Sequence, residues 1–245
     1  MTTLLIATRN AHKVGEIRAI LGARFGFLTL NDFPAAPKVV EDADSFAGNA
    51  IKKAVALARW LAENPAASHP QRQPQPFLPD YVLADDSGLE VDALNGAPGV
   101  HSARFAALDG RADGASAGDT GNSPDAENNA KLLRLLQAVP REKCSARFRC
   151  VIALAPVPAP APAVRRENAS PVCYAEALAA QTFAGVCEGR IQRTASGQGG
   201  FGYDPLFVPE GCAQSFAELG DAVKNQLSHR AKALAQVKVF FCHAH

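Results

Sequence analysis

Two spacings of apolar residues alternate along this chain. Residues 4–7 form a short apolar run of strand length, and Thr8-Arg9-Asn10 reads as a turn. Val14, Ile17, Ile20 and Leu21 then recur at helical spacing and predict a helix over 11–21, with Asn10 as its N-cap. Ile51, Ala54, Val55, Ala58 and Leu61 share one face of a second predicted helix over 46–63, capped by Ser45. Residues 81–84 predict a strand, and 89–94 alternate like a half-buried one. Ser123-Pro124 opens a helix with proline at its first position, and Leu132, Leu133, Leu135 and Leu136 supply its apolar face. Strands are expected over 147–155, 174–183 and 186–193, with Gly185 between the last two. A final helix starts at Ser228 and runs through Leu234 and Val237. Interleaved strands and helices place the chain in the α/β class.

Three stretches interrupt the pattern. Residues 65–79 are rich in Pro and Gln, 109–121 in Gly, Ala and Asp, and 156–171 in Pro and Ala. Each reads as a flexible surface insert rather than a domain linker, because regular pattern resumes on both sides. With 245 residues, 47% of them hydrophobic, the chain suits one sizeable domain or two lobes sharing a sheet. The net charge is +1 and no run of four Lys or Arg occurs, which disfavours nucleic acid or an acidic membrane surface as partner. The N-terminal run lacks a basic region and no apolar stretch reaches bilayer length, so a cytoplasmic protein is expected. Cysteines at 144, 150, 173, 187, 212 and 242 form no CxxC pair and are expected as free thiols.

Four constellations offer chemistry. Asp85-Asp86-Ser87-Gly88 follows the apolar run 81–84. Neighbouring strand side chains point to opposite faces, so two adjacent aspartates are costly to bury together. The pair is therefore expected where the strand ends in a glycine turn at the sheet's rim. Together with Glu41-Asp42 it offers hard oxygen ligands of the kind that suit Mg²⁺ beside substrate phosphates. Thr8, Asn10 and Lys13 surround a helix start, where free backbone N–H groups favour anions. Gly197 to Pro205 brackets Phe201 with glycines, and Phe201 is able to stack on a flat base. Lys224, His229 and Arg230 bring donors together with no carboxylate evident beside them, an arrangement suited to a purine keto oxygen.

These stretches, TRNAHK at 8–13, FAGNAIKKA at 46–54, LADDSGLEVDALNGAPGVHSARF at 83–105, GGFGYDPLF at 199–207 and the spaced K…SHR at 224–230, lie in one order. In that order they resemble the inosine triphosphate pyrophosphatase family, over nearly the whole chain. The resemblance implies an α/β fold with a long central mixed sheet flanked by helices, and two lobes around a deep nucleotide-binding cleft. It implies Mg²⁺-dependent hydrolysis of non-standard purine nucleoside triphosphates (XTP, ITP, dITP) to the monophosphate and pyrophosphate, by a homodimer. By position, Thr8, Arg9, Asn10, Ala11, His12 and Lys13 would hold the triphosphate. Asp86 would accept the proton and bind metal, with Glu41 as second ligand, and Ser87 would touch the substrate. Phe201, Gly202, Tyr203, Asp204, Lys224, His229 and Arg230 would surround base and sugar. Gly48 stands where the family usually has Glu, and Asp42 or Asp85 would compensate. His12 replaces a frequent Gly. From the residues alone, either Asp86 or its neighbour Asp85 is able to deprotonate water. A pyrimidine-directed pyrophosphatase and a non-catalytic nucleotide- or RNA-binding module are the alternatives.

Overall fold

The computed structural model describes residues 1–65, 78–110, 122–158 and 179–243. Most of the three expected inserts, and residues 174–178 of one expected strand, lie outside these residues. The core is one six-stranded sheet in the order β2-β1-β3-β4-β5-β6. Its strands are β1 (Thr3–Ile6), β2 (Gly26–Thr29), β3 (Tyr81–Val91), β4 (Ser145–Pro156), β5 (Gln181–Ile191) and β6 (Phe207–Pro209). β1 pairs in parallel with β2 and β3, and the other pairings are antiparallel, so the sheet is mixed. The helices are α1 (Ala11–Leu21), α2 (Phe46–Glu63), α3 (Asp125–Leu136), α4 (Phe216–Leu227) and α5 (His229–His243). Among the described residues no helix is long and apolar enough to cross a membrane.

Side-chain alternation sorts the core into layers. Leu5, Ala7, Val82 and Ala84 face one way and pack on Ala50, Ala54, Leu57 and Leu61 of α2. Leu4, Ile6, Leu83 and Ile152 face the other way, onto Ile17 of α1 and Leu234 and Val237 of α5. Farther along the long strands, Leu89, Val91 and Phe148 join Leu132 and Leu136 of α3 in a third cluster. The predicted caps are in place. Asn10 Oδ1 accepts the N–H groups of His12 and Lys13, Ser45 Oγ that of Gly48, and Ser228 Oγ that of Ala231.

Three expectations are corrected. β3 does not stop at the aspartates; it continues unbroken to Val91, with Asp85 opposite Ile152 and Asp86 opposite Val151 on β4. Asp85-Gly88 is strand rather than turn. Gly88 is needed for closeness, because a Cβ there would lie 2.4 Å from Ser102 Oγ and 2.5 Å from the Gly99 carbonyl. β5 likewise runs straight through Gly185, where a Cβ would fall 2.0 Å from the His229 carbonyl oxygen. Pro124 occupies the N-cap position of α3 instead of its first turn. β2, β6 and α4 were not anticipated. The two strands are four and three residues long, too short for a periodic signal. α4 is broken at Gly220, with φ +75°, which disrupts its apolar spacing.

Candidate active site

β3 carries Asp85 and Asp86 into the middle of the molecule, where both are buried, at 2% and 7% exposure. Alternation aims them at different partners. Asp85 points to the α1/α5 face. Its carboxylate accepts Arg230 Nε at 2.9 Å, Lys13 Nζ at 2.5 Å, Ser87 Oγ at 3.0 Å and Cys150 Sγ at 3.2 Å. Burial alone would raise its proton affinity, but Arg230 and Lys13 outweigh that and hold the carboxyl well below the usual range. Asp86 points to the α2 face, where Asn49 Nδ2 donates to Oδ2 at 3.0 Å. Among the described residues Asp86 has no ion-paired cation. Burial pushes it up to about 6, against the pull of the Lys13 and Lys53 charges and with a contribution from Glu41.

Asp86 lines a cleft of about 500 Å³. It is lined by Thr8, Asn10 and Lys13 around the start of α1, by Glu41 ahead of α2 and Lys53 within it, and by Phe201, Tyr203, Asp204, Lys224, His229 and Arg230. Ser87 and Gly202 also line it. Arg9, Ala11 and His12 are exposed and do not. The His12 ring instead stacks on Phe201. Gly202 is held by its backbone, its N–H donating to Asp125 and its carbonyl accepting from Asn129. The Tyr203 hydroxyl donates to the Ser102 carbonyl at 2.9 Å inside the third core cluster, so this side chain shapes the wall by packing.

The basic residues are not the unpartnered donors that the sequence suggested. Arg230, 1% exposed, forks between Asp85 and Glu16 and also donates to Ser87 Oγ at 2.8 Å. Lys224 bridges Glu16 Oε1 at 2.7 Å and Asp204 Oδ2 at 2.5 Å. Asp204 accepts the Phe201 N–H at 2.8 Å. The result is a continuous buried chain of alternating charge, Lys13–Asp85–Arg230–Glu16–Lys224–Asp204, joining α1, β3, α5, α4 and the 197–205 loop. Burial raises the Asp204 carboxyl despite Lys224, whereas in Glu16 the two cations overcome burial and lower it. His229 stands apart. Burial, then the charges of Arg230 and Lys224, push it well below the usual imidazole range, so it is neutral. Its ring stacks on Phe148, with centroids 4.8 Å apart, and Nδ1 has no hydrogen-bond partner among the described residues.

Neither suggested compensation for Gly48 lines the cleft. Asp42 is exposed and paired with Lys52, and Asp85 faces the opposite side of the sheet, bound by its cations. Among the described residues no group of three or more His, Cys, Asp or Glu side chains is arranged to hold a metal. Glu41 is paired with Lys53 at 2.8 Å. Sequence reasoning missed Glu16, Asn49 and Lys53. Glu16 lies three residues after Lys13, already singled out, and so shares its helix face, whereas Asn49 and Lys53, four apart, share a face of α2 only with each other.

The Ham1 family profile matches residues 4–240. A dITP/XTP pyrophosphatase of Desulforamulus reducens is 43% identical over 232 residues, covering 94% of this chain and 91% of that protein. One from Geobacillus kaustophilus is 41% identical, covering 97% and 93%. A HAM1 protein structure from Coxiella burnetii superposes with TM-score 0.70 at 32% identity, over 99% of this chain and all of that one. A nucleoside-triphosphatase / dITP/XTP pyrophosphatase structure from Mycobacterium abscessus gives TM-score 0.61 at 33% identity, over 96% and 98%. With its mixed sheet, its cleft and a match along almost its whole length, the chain belongs to the Ham1 family.

Proposed function

We propose that this protein hydrolyses non-standard purine nucleoside triphosphates (dITP, XTP, ITP) to the monophosphate and pyrophosphate. The observation that carries the reading is Asp86. It is a buried carboxyl whose pKa is raised to about 6, set in a cleft that Lys13, Lys53 and Phe201 also line. A base that ionises close to neutrality is suited to take a proton from water. Asn49 fixes one oxygen of Asp86, and Oδ1 has no protein hydrogen bond among the described residues.

In the proposed reaction Asp86 takes a proton from a water whose oxygen bonds to the α phosphorus. The bond from that phosphorus to the bridging oxygen breaks, and pyrophosphate leaves with the electron pair. Lys13 and Lys53 hold the polyphosphate, beside the positive end of the α1 dipole, and offset the charge that develops on it. Glu41 and Asp86 are the residues that would hold Mg²⁺. Both line the cleft and the charge of Glu41 opposes that of Asp86; such a pair fits a divalent cation, which takes one or two carboxylates and fills its shell with water and phosphate oxygens. When bound, the cation supplies neutralisation of phosphate charge. Lys53 must release Glu41 for this, and then becomes free for a phosphate oxygen.

Base selection rests on the far wall. Phe201 offers a stacking ring, and neutral His229 has hydrogen-bonding capacity that Arg230 has already committed to Asp85 and Glu16. A keto oxygen at the purine 6-position accepts from such a donor, and a 6-amino group does not. We take the enzyme to work as a homodimer, as the family resemblance implies, and in the cytoplasm, since five free cysteines among the described residues suit a reducing compartment. The experiment is a panel of dITP, XTP, ITP, dGTP and dATP with Mg²⁺, read as pyrophosphate release. Turnover of the first three at least about a hundredfold above dATP is expected. Equal turnover of dATP and dITP removes the proposed selectivity, and orthophosphate as sole product removes the proposed bond.

A further inference from the structure

His12 and Phe201 come from different parts of the chain, the first turn of α1 and the loop before β6. Their rings stack with centroids 5.3 Å apart and planes 19° apart. That is offset contact, with no space for a third ring between them.

The two partners are held very differently. Phe201 sits on a fixed platform. Its N–H donates to Asp204, which is locked by buried Lys224, and the Lys224 ammonium lies 4.4 Å from the ring centroid. Gly200 beside it has φ +73°, and a Cβ there would strike Asp204 Oδ2 at 2.1 Å. His12 is exposed. Its backbone is fixed by the Asn10 cap, but among the described residues its imidazole makes no hydrogen bond, and its ring contact is the one with Phe201. When something flat arrives at Phe201, the side chain free to move is His12.

We propose that His12 is a stand-in for the purine base: its imidazole covers the Phe201 ring in the nucleotide-free enzyme and swings away when the substrate's base stacks there. The inference rests on the reading that Phe201 faces the base. Binding then exchanges one stack for another, so the affinity of the site for the base is set by His12 as well as by Phe201. The exchange keeps the aromatic ring covered between turnovers and lowers affinity for the released monophosphate.

The probe is inosine, which has a base and sugar but no phosphate, so any contact of the imidazole with the polyphosphate does not enter. Its Ki against dITP hydrolysis is measured for the parent, His12→Ala, Phe201→Leu and the double variant. His12→Ala is expected to lower the inosine Ki about two- to tenfold, the range of a lost aromatic pair. In the Phe201→Leu background the same substitution is expected to change nothing. Tripolyphosphate, as competitor, is expected to bind His12→Ala no more tightly than the parent. An inosine Ki that is unchanged or raised in His12→Ala overturns the proposal, as does an equal gain with Phe201 absent. The contact itself is checked by the imidazole C–H proton resonances of His12, which should shift in Phe201→Leu and on adding inosine to the parent; no shift in either overturns it. Turnover of dITP to pyrophosphate by the parent is read separately, so an unchanged inosine Ki discards the stand-in while leaving the proposed function intact.

Discussion

Asp85 and Asp86 are sequence neighbours on β3, yet one is clamped between Arg230 and Lys13 while the other, among the described residues, has Asn49 as its hydrogen-bond partner. Their environments drive the two carboxyls in opposite directions, Asp85 well below the ordinary range and Asp86 up to about 6. One is an anion held by its cations, and the other is a carboxyl raised by burial, the one proposed as the base.

Substituting each with asparagine separates these roles. Asp86→Asn is expected to lose about 10²–10⁴-fold in kcat while gaining stability, because a buried ionised group with no paired cation is removed. The gain at pH 8 is about 1–3 kcal/mol, from a shift of about two pH units at about 1.4 kcal/mol each as upper limit. Asp85→Asn leaves Arg230 and Lys13 under-compensated in the interior and is expected to cost about 3–5 kcal/mol. Thermal melts and dITP turnover on both variants check this. Greater stability in Asp85→Asn than in Asp86→Asn contradicts the assignment.

The pH dependence has a definite sign. Asp86 is raised in the folded state, so its contribution to stability is fully present below its unfolded value near about 3.9 and is lost as pH rises through about 6. The stability difference between Asp86→Asn and the parent, measured with EDTA present, should therefore be small at pH 4 and reach its full size above pH 6.5. The depressed Asp85 acts in reverse, stabilising above its unfolded value and losing this as pH falls through its much lower folded one. In kcat/KM measured with Mg²⁺ the cation beside Asp86 favours its ionised form, so the acid limb should lie below about pH 6 and move to lower pH as Mg²⁺ is raised. An acid limb that persists unchanged in Asp86→Asn would rule Asp86 out as its source.

Glu16 joins Lys224 to Arg230, and both cations are almost fully buried. Glu16→Ala should cost about 3–5 kcal/mol by leaving them uncompensated. Glu16→Gln should lose less stability yet still raise KM for dITP, because both cations then hold Asp204 and Asp85 without a common anchor. Lys13→Ala should lower Tm as well as raise KM, since Lys13 is ion-paired to Asp85 rather than waiting free for phosphate. Unchanged Tm in Lys13→Ala together with unchanged KM in Glu16→Gln contradicts the shared network.

Gly185 lets α5 settle onto β5, and the first turn of α5 carries His229 and Arg230. Gly185→Ala pushes a methyl into the His229 carbonyl, costing about 1–3 kcal/mol or more. The expected kinetic trace is a higher KM for dITP with inorganic tripolyphosphate inhibition unaltered, because the displaced turn faces the base rather than the phosphates. An equal loss against both ligands marks general unfolding instead.

Much of this fold was legible. Helices α1 and α2 announce themselves by apolar spacing and by Asn10 and Ser45 as caps, and about two thirds of the cleft residues lie in the motifs quoted from the sequence; the rest come from residues 38–41, from 122–128 and from Phe148. The aspartate pair misled because the local rule, that two adjacent strand carboxylates are costly to bury, is correct in isolation. What pays it off is supplied by residues far away in sequence, Arg230 from α5 and Lys13 from α1, which no local pattern reveals. The same holds for Arg230 and Lys224: their partners Glu16, Asp85 and Asp204 are brought in by tertiary packing. Gly88 and Gly185 looked like turns, but they are places where another backbone or side chain comes too close for a Cβ. Glu218 three residues after Ser215 is a capping-box spacing that could have revealed α4.

The most direct test is dITP hydrolysis in H₂¹⁸O with Mg²⁺, followed by mass spectrometry of both products. Attack of water on the α phosphorus, assisted by Asp86, predicts one ¹⁸O in dIMP, unlabelled pyrophosphate, and loss of this product in Asp86→Asn. Label in pyrophosphate or in orthophosphate, or undiminished labelled dIMP from Asp86→Asn, would contradict it.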